Sequence, residues 1–144
     1  MGTYKNYKLF SVIALLFLSV VISCEKNSSP IPYVPVSIQI NLSNPDYFIL
    51  KSPGGWLYVT GGSKGLIIYR YDQSTFRAYD RHCPYHPDDA CSKLSVENSG
   101  LTVKDTCCSS VFSILDGSIL GGPADRNMVE YKSSFDGNIL SINN

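Results

Sequence analysis

The sequence has only two histidines and one tryptophan, no surplus of charge of either sign, and no long helical periodicity after its first two dozen residues. Each absence excludes something. Twelve basic residues are matched by twelve acidic ones, and no basic stripe or block stands out, so a nucleic-acid partner held through its phosphates is not expected. No nucleophile–base pair, carboxylate pair or phosphate-binding loop is present, and the chain is read as a non-enzyme. Glu25, Asp88 and Asp89 read as solvated charges. Without helical periodicity or an internal repeat, bundles and solenoids drop out. What is abundant is tyrosine, glycine and proline, a composition suited to short strands and tight turns.

The N-terminal segment has three parts. Lys5 and Lys8 make a positive start, and Leu9 to Ile22 is an almost unbroken apolar run, too short to span a bilayer comfortably as a mature helix. The run ends in Val21-Ile22-Ser23-Cys24. An aliphatic residue and a small residue directly before cysteine resemble the lipobox of exported lipoproteins. That pattern implies a cleaved signal over 1–23 and an acylated Cys24 as the first mature residue. Each buried acyl CH₂ contributes about 0.8 kcal/mol, so two or more chains anchor stably. The expected localisation is the cell envelope, at the periplasm or outer-membrane face, with membrane lipid engaged through Cys24. Residues 24–35, polar and proline-rich after the cysteine, read as a tether. About 120 residues remain after the signal, enough for one domain with a real core, assigned to 36–144.

That domain reads as strands throughout. Val36, Ile38, Ile40 and Leu42 alternate with Ser37, Gln39 and Asn41, the period of a half-buried strand. Asn44-Pro45 breaks it, and Tyr47 to Leu50 suits a short helical turn. Strands are expected over 56–60, 65–71 and 76–80, separated by turn signals at Gly61-Gly62 and Asp72-Gln73-Ser74. A loop-rich stretch over 81–100 holds His82, Cys83, His86 and Cys91. Further strands are expected over 101–105, 111–115, 118–120, 129–133 and 139–142, with turns at Asp116-Gly117 and Asp136-Gly137. Spacing of this kind implies an all-β fold of packed antiparallel sheets.

Several motifs in order carry a family resemblance. Ala78-Tyr79-Asp80-Arg81 leads into Cys83-Pro84-Tyr85-His86. Later come Phe112-Ser113-Ile114-Leu115-Asp116-Gly117, then Gly122-Pro123-Ala124, then Met128-Val129-Glu130-Tyr131, and a closing hairpin at Asp136-Gly137. Together, 76–142 resembles the Rieske [2Fe–2S] domain. The resemblance implies a Rieske-like antiparallel β-sandwich with a small, loop-rich, cluster-binding-type subdomain. The family's cluster has two thiolates on one iron and two imidazoles on the other. Here Cys83 matches the first ligand, Tyr85 stands at the first histidine position, Asp105 at the second cysteine position and Cys108 at the second histidine position. Cys107 falls where some members carry an extra cysteine bridged to the first loop.

This departure from the ligand pattern, with export through a signal lacking a twin-arginine, leads to the expectation of no cofactor. The four cysteines beyond Cys24 allow three pairings, and Cys107 and Cys108 are too close in sequence to bridge readily. By the family register the expected bridges are Cys91–Cys107 and Cys83–Cys108, with Cys83–Cys107 and Cys91–Cys108 as the competing pair. The alternative reading is an electron-transfer protein that keeps a [2Fe–2S] cluster with altered ligands, and the candidate ligands for such a cluster, or for a zinc ion instead, are Cys83, His86, Cys107 and Cys108. Taken singly, His82 and His86 read as loop residues that form hydrogen bonds or face solvent. The functional reading is a non-enzymatic binding or structural module on a lipid tether. Its functional tip comprises the cysteine loops with Gly122, Pro123 and Ala124, and its partner is an unidentified protein.

Overall fold

A computed structural model describes residues 31–144, so the signal, the lipobox and Cys24 lie outside the described residues. The first strand, β1 (Ser37–Asn41), forms where the alternation predicts it, with Val36, Ile40 and Leu42 buried and Ser37, Gln39 and Asn41 exposed. A 3₁₀ helix over Pro45–Lys51 follows. Asn44 caps it by accepting from the Asp46 N–H at 3.0 Å, and Pro45 supplies a preset φ at its start. The remaining strands are β2 (Trp56–Val59), β3 (Leu66–Arg70), β4 (Phe76–Asp80), β5 (Leu94–Val96), β6 (Thr102–Asp105), β7 (Val111–Ser113), β8 (Ile119–Gly121), β9 (Glu130–Phe135) and β10 (Ile139–Asn143). Of these, β5 falls within the loop-rich stretch over 81–100, where no strand is expected. It is three residues long, too short for alternation to show.

Two antiparallel sheets result. Six strands in the order β1-β10-β9-β4-β3-β2 make the larger, and four in the order β5-β6-β7-β8 make the smaller, which carries the cysteine loops. This is the expected all-β architecture, a main β unit with a small loop-bearing subdomain. The larger sheet curls, bringing the loop after β2 against β1, so that a Cβ on Gly61 would touch the Ile38 side chain at 2.8 Å.

The strand β3 explains why the sheets stack as they do. Its sequence Leu-Ile-Ile-Tyr-Arg is buried at every position, the mark of a strand covered on both faces. Leu66 and Ile68 point into a core inside the curl, with Ile40, Leu50, Phe76 and Leu140. Ile67 and Tyr69 point the other way, into a second core shared with Leu94, Val103, Phe112 and Ile114 of the smaller sheet. Burying each such aliphatic or aromatic side chain contributes roughly 1.5–3 kcal/mol, so the second core fixes the subdomain firmly on the main sheet. Arg70 ends β3 buried. Its guanidinium donates to the carbonyls of Leu50, Asp72 and Gln73 and lies over the rings of Phe76 and Phe135.

Turns close as the sequence signals. The Asp72 carboxylate accepts from the Ser74 and Thr75 N–H groups, and that of Asp136 accepts from Asn138 and Ile139. At the two chain ends, Asn144 accepts from the Val36 N–H and donates to the Val34 carbonyl, so the fold grips the chain slightly ahead of the expected boundary at 36. Ser37 pairs with Asn143, Asn143 with Lys132, and Glu130 with Tyr79. This register places the start of β1 at the same end of the sheet where β4 runs into the cysteine loops.

Candidate functional site at the cysteine loops

Loop one leaves β4 at Asp80, which is fully buried and works as a hub. Its carboxylate accepts from the Ser63 N–H (2.7 Å), the Lys64 N–H (3.3 Å), the His82 N–H (2.8 Å) and the Tyr131 hydroxyl (2.8 Å). A buried carboxylate is tolerated only when its oxygens are satisfied in this way. Gly62 approaches so closely that a Cβ there would sit 2.5 Å from the Asp80 carboxylate, and its φ of +60° is costly for any other residue. Lys64 reaches further, donating to the Asp89 and Ser92 carbonyls. The loop is thus pinned at both ends before any cysteine is involved.

His82 is buried beneath this loop. One ring nitrogen, Nε2, lies 2.7 Å from the Pro87 carbonyl oxygen, which can only accept, so Nε2 carries a proton. Nδ1 stands 2.8 Å from the Ser63 hydroxyl. Both ring nitrogens are occupied in structural bonds. His86 is exposed, with a φ of +48°, and its ring packs edge-on against Tyr85 at 4.3 Å.

Loop two turns back at 105–110. Asp105 is fully buried at the end of β6, and its Oδ1 accepts from the Cys107 N–H at 2.6 Å and the Cys108 N–H at 3.2 Å. Ser109 adopts a φ of +63°, a strained conformation for a residue other than glycine. Ser110 then links the third element of the tip: its Oγ accepts from the Ala124 N–H at 3.1 Å. Gly122 lies so near that a Cβ would fall 2.5 Å from the Ser110 Cα. Gly122, Pro123 and Ala124 therefore do sit beside the cysteine loops, with Gly122 and Pro123 exposed.

Cys91 and Cys107 are bridged, joining the two loops in the pairing implied by the family register. The competing pairing is overturned with it. The expected second bridge is not formed: Cys83 and Cys108 are thiols whose sulfurs stand 3.8 Å apart, well beyond the roughly 2.05 Å of a disulfide. Cys83 is held in the second core, and the Cys108 thiol instead donates to Ser110 Oγ at 3.1 Å while its sulfur accepts the Ser110 N–H at 3.5 Å. Burial pushes the Cys83 thiol far above its usual range, and the neighbouring Asp105 carboxylate adds to that.

The expected alternative ligand set of Cys83, His86, Cys107 and Cys108 is corrected as well. Cys107 is consumed in the bridge and His86 points to solvent. What the fold gathers is Cys83, Asp105 and Cys108, whose sulfur and carboxylate oxygen atoms all lie within 4.8 Å of one another. Asp105 was visible in the sequence only as a carboxylate where the family has a thiolate. Its Oδ2 is buried and meets no nitrogen or oxygen donor among the described residues.

No family model matches the sequence, and no curated protein matches it. Among solved structures, the chain is similar to the ferredoxin of carbazole 1,9a-dioxygenase from Nocardioides aromaticivorans IC177. The two share 13% identity at a TM-score of 0.48, over 76% of this chain and 97% of that one.

The fit of a Rieske cluster to these loops follows from the donors. Two imidazoles on one iron are required. His82 spends both nitrogens on Ser63 and Pro87, and His86 lies exposed, outside the group of Cys83, Asp105 and Cys108. Tyr85, at the first histidine position, packs against the second core. The residues present do not supply the two-thiolate, two-imidazole set.

Proposed function

We propose that this chain is a lipid-tethered, non-enzymatic binding module of the cell envelope, with a Rieske-like domain whose tip carries no [2Fe–2S] cluster and engages a protein partner. The observation that carries the reading is His82: the buried histidine of loop one is committed through both nitrogens to holding the loop. The loops are instead braced by the Cys91–Cys107 bridge and the Asp80 hub, and Ser110 ties the segment of exposed Gly122 and Pro123 to loop two through the Ala124 N–H. Rigid loops on a preformed scaffold bind with little ordering cost.

A second reading has one observation in its favour. Cys83, Cys108 and Asp105 converge in one pocket, and an electron carrier could hold a cluster on such altered ligands. Colour separates the two. The full chain purified from membranes, and the same chain lacking residues 1–24 made in the cytoplasm under reducing, iron-replete conditions, are expected to be colourless and free of stoichiometric iron. A brown product with about two irons per chain would establish the electron-transfer reading and end the first.

A further inference from the structure

We infer that Cys83, Asp105 and Cys108 form a mononuclear site for a thiophilic divalent cation of the zinc type, resting on the cluster-free reading above. Three independent features of the pocket point there. The first is the sulfur separation of 3.8 Å, a thiol–thiol hydrogen-bond contact that already has the spacing of two ligands on one ion. Two thiolates bound to one tetrahedral zinc at about 2.3 Å each stand about 3.8 Å apart, whereas a disulfide needs roughly 2.05 Å. The second is the Asp105 carboxylate, fully buried within 4.8 Å of both sulfurs, with the weakly donating Cys83 thiol beside it and no nitrogen or oxygen donor on Oδ2 among the described residues. A buried carboxylate oxygen met only by a weak donor is costly, and a cation would satisfy it. The third is the surrounding support. Asp105 Oδ1 is oriented by the Cys107 and Cys108 N–H groups, and the Ser110 N–H is directed at the Cys108 sulfur. Such outer contacts fix ligand geometry and favour the thiolate.

The chemistry selects the ion. Two sulfurs and one carboxylate oxygen suit zinc better than magnesium or calcium, which prefer all-oxygen cages. Three protein ligands leave the fourth tetrahedral position to solvent, on the half-exposed side of Cys108. On binding, each thiol loses its proton to solvent, so two S–H bonds are exchanged for two metal–sulfur bonds and two protons are released. Affinity therefore rises with pH. His86 and Cys107 take no part.

The test uses the full chain purified in detergent and kept under mild reductant, titrated with Zn²⁺ and with Co²⁺ as a spectroscopic substitute. One metal per chain is expected, with thiolate-to-cobalt charge transfer and the intense d–d bands of a tetrahedral site. Cys83→Ser and Cys108→Ser should each abolish the charge-transfer signal of paired thiolates. Asp105→Asn should weaken binding at least tenfold, on the order of an outer-shell loss or more. Because the Asn side-chain oxygen can still accept from Cys107 and Cys108, this variant keeps the loop, and a thermal melt of the metal-free protein checks that it does. His86→Ala and Cys24→Ser should bind as the parent does. A colourless chain that takes up no zinc, or one whose binding is unchanged by Asp105→Asn, overturns this inference and leaves the cluster-free reading standing. A two-iron brown protein overturns both.

Discussion

At the scale of single residues, the tip depends on buried polar atoms more than on its cysteines. Asp80, fully buried, collects four hydrogen bonds, and removing it leaves three N–H groups and the Tyr131 hydroxyl without their acceptor. Asp80→Ala should cost about 3 kcal/mol and Tyr131→Phe about 1 kcal/mol in urea unfolding. The double variant should cost less than the two added together, because the residues share one bond. Strict additivity would show that the bond contributes nothing. The sequence made Asp80 visible only as the acid that ends a strand before loop one. Its partner lies 51 residues further on, and no local pattern announces such a contact. His82 was legible as a hydrogen-bonding loop residue, but that it would occupy both nitrogens depends on Ser63 from another turn.

At the scale of elements, alternation made β1 readable, because it has one wet face and one dry one, and turn signals such as Gly61-Gly62 and Asp72-Gln73-Ser74 marked the hairpins. β3 was legible as a strand, yet its unbroken burial was what required a second sheet to cover it. β5 escaped, since its three residues cannot establish a period. The loops show the same division: the Cys91–Cys107 bridge matched the family register, whereas the state of Cys83 and Cys108 depends on where the second core and Ser110 hold their sulfurs. Replacing Cys91 and Cys107 together by serine should lower stability by about 3 kcal/mol, the chain-entropy value for a loop of roughly 15 residues. A change below about 1 kcal/mol in urea unfolding would mean that Asp80 and Lys64 already confine the loop.

The turns give an acid dependence with a definite sign. Asp72 is held below its usual value of 3.8 by the N–H groups of Ser74 and Thr75. Asp136 is lowered by those of Ile139 and Asn138, and Asp116 by the hydroxyl and N–H of Ser118. A carboxyl depressed in the folded state stabilises fully above its unfolded value and loses that contribution as pH falls through the folded one. Melting temperature should therefore fall as pH drops below about 4. The triple Asp→Asn variant keeps the acceptors and loses the titration, so its acid limb should be shallower. An identical slope would assign the acid sensitivity to other groups.

For the whole molecule, anchoring is the feature on which the envelope reading depends. Cys24→Ser should yield a chain without acyl mass on its N-terminal peptide and absent from the membrane fraction. A variant that still matures at residue 24 and stays with membranes would remove the lipobox from the account. The expectation for this segment, which lies outside the described residues, rests on hydropathy and one cysteine, whereas the fold that follows it needed the pairing of strands far apart in the chain.

The entry of β1 at the same end of the sheet as the exit of β4 sets an orientation. Cys24 and the first gripped residue, Val34, are separated by a stretch that spans at most about 35 Å when fully extended. A lipid at one end and the cysteine loops at the other would keep those loops in a shallow layer over the bilayer, facing along or toward it. An acylated chain of this build would meet integral or lipid-bound proteins and sample little of the space beyond. Extending the tether by about 20 Gly-Ser residues would raise its root-mean-square span only as the square root of length, from roughly 17 to roughly 30 Å, yet would uncouple the tip from that layer. Cross-linking from an introduced Pro123→Cys to membrane-embedded partners should then fall, while the fold and its melting temperature stay the same.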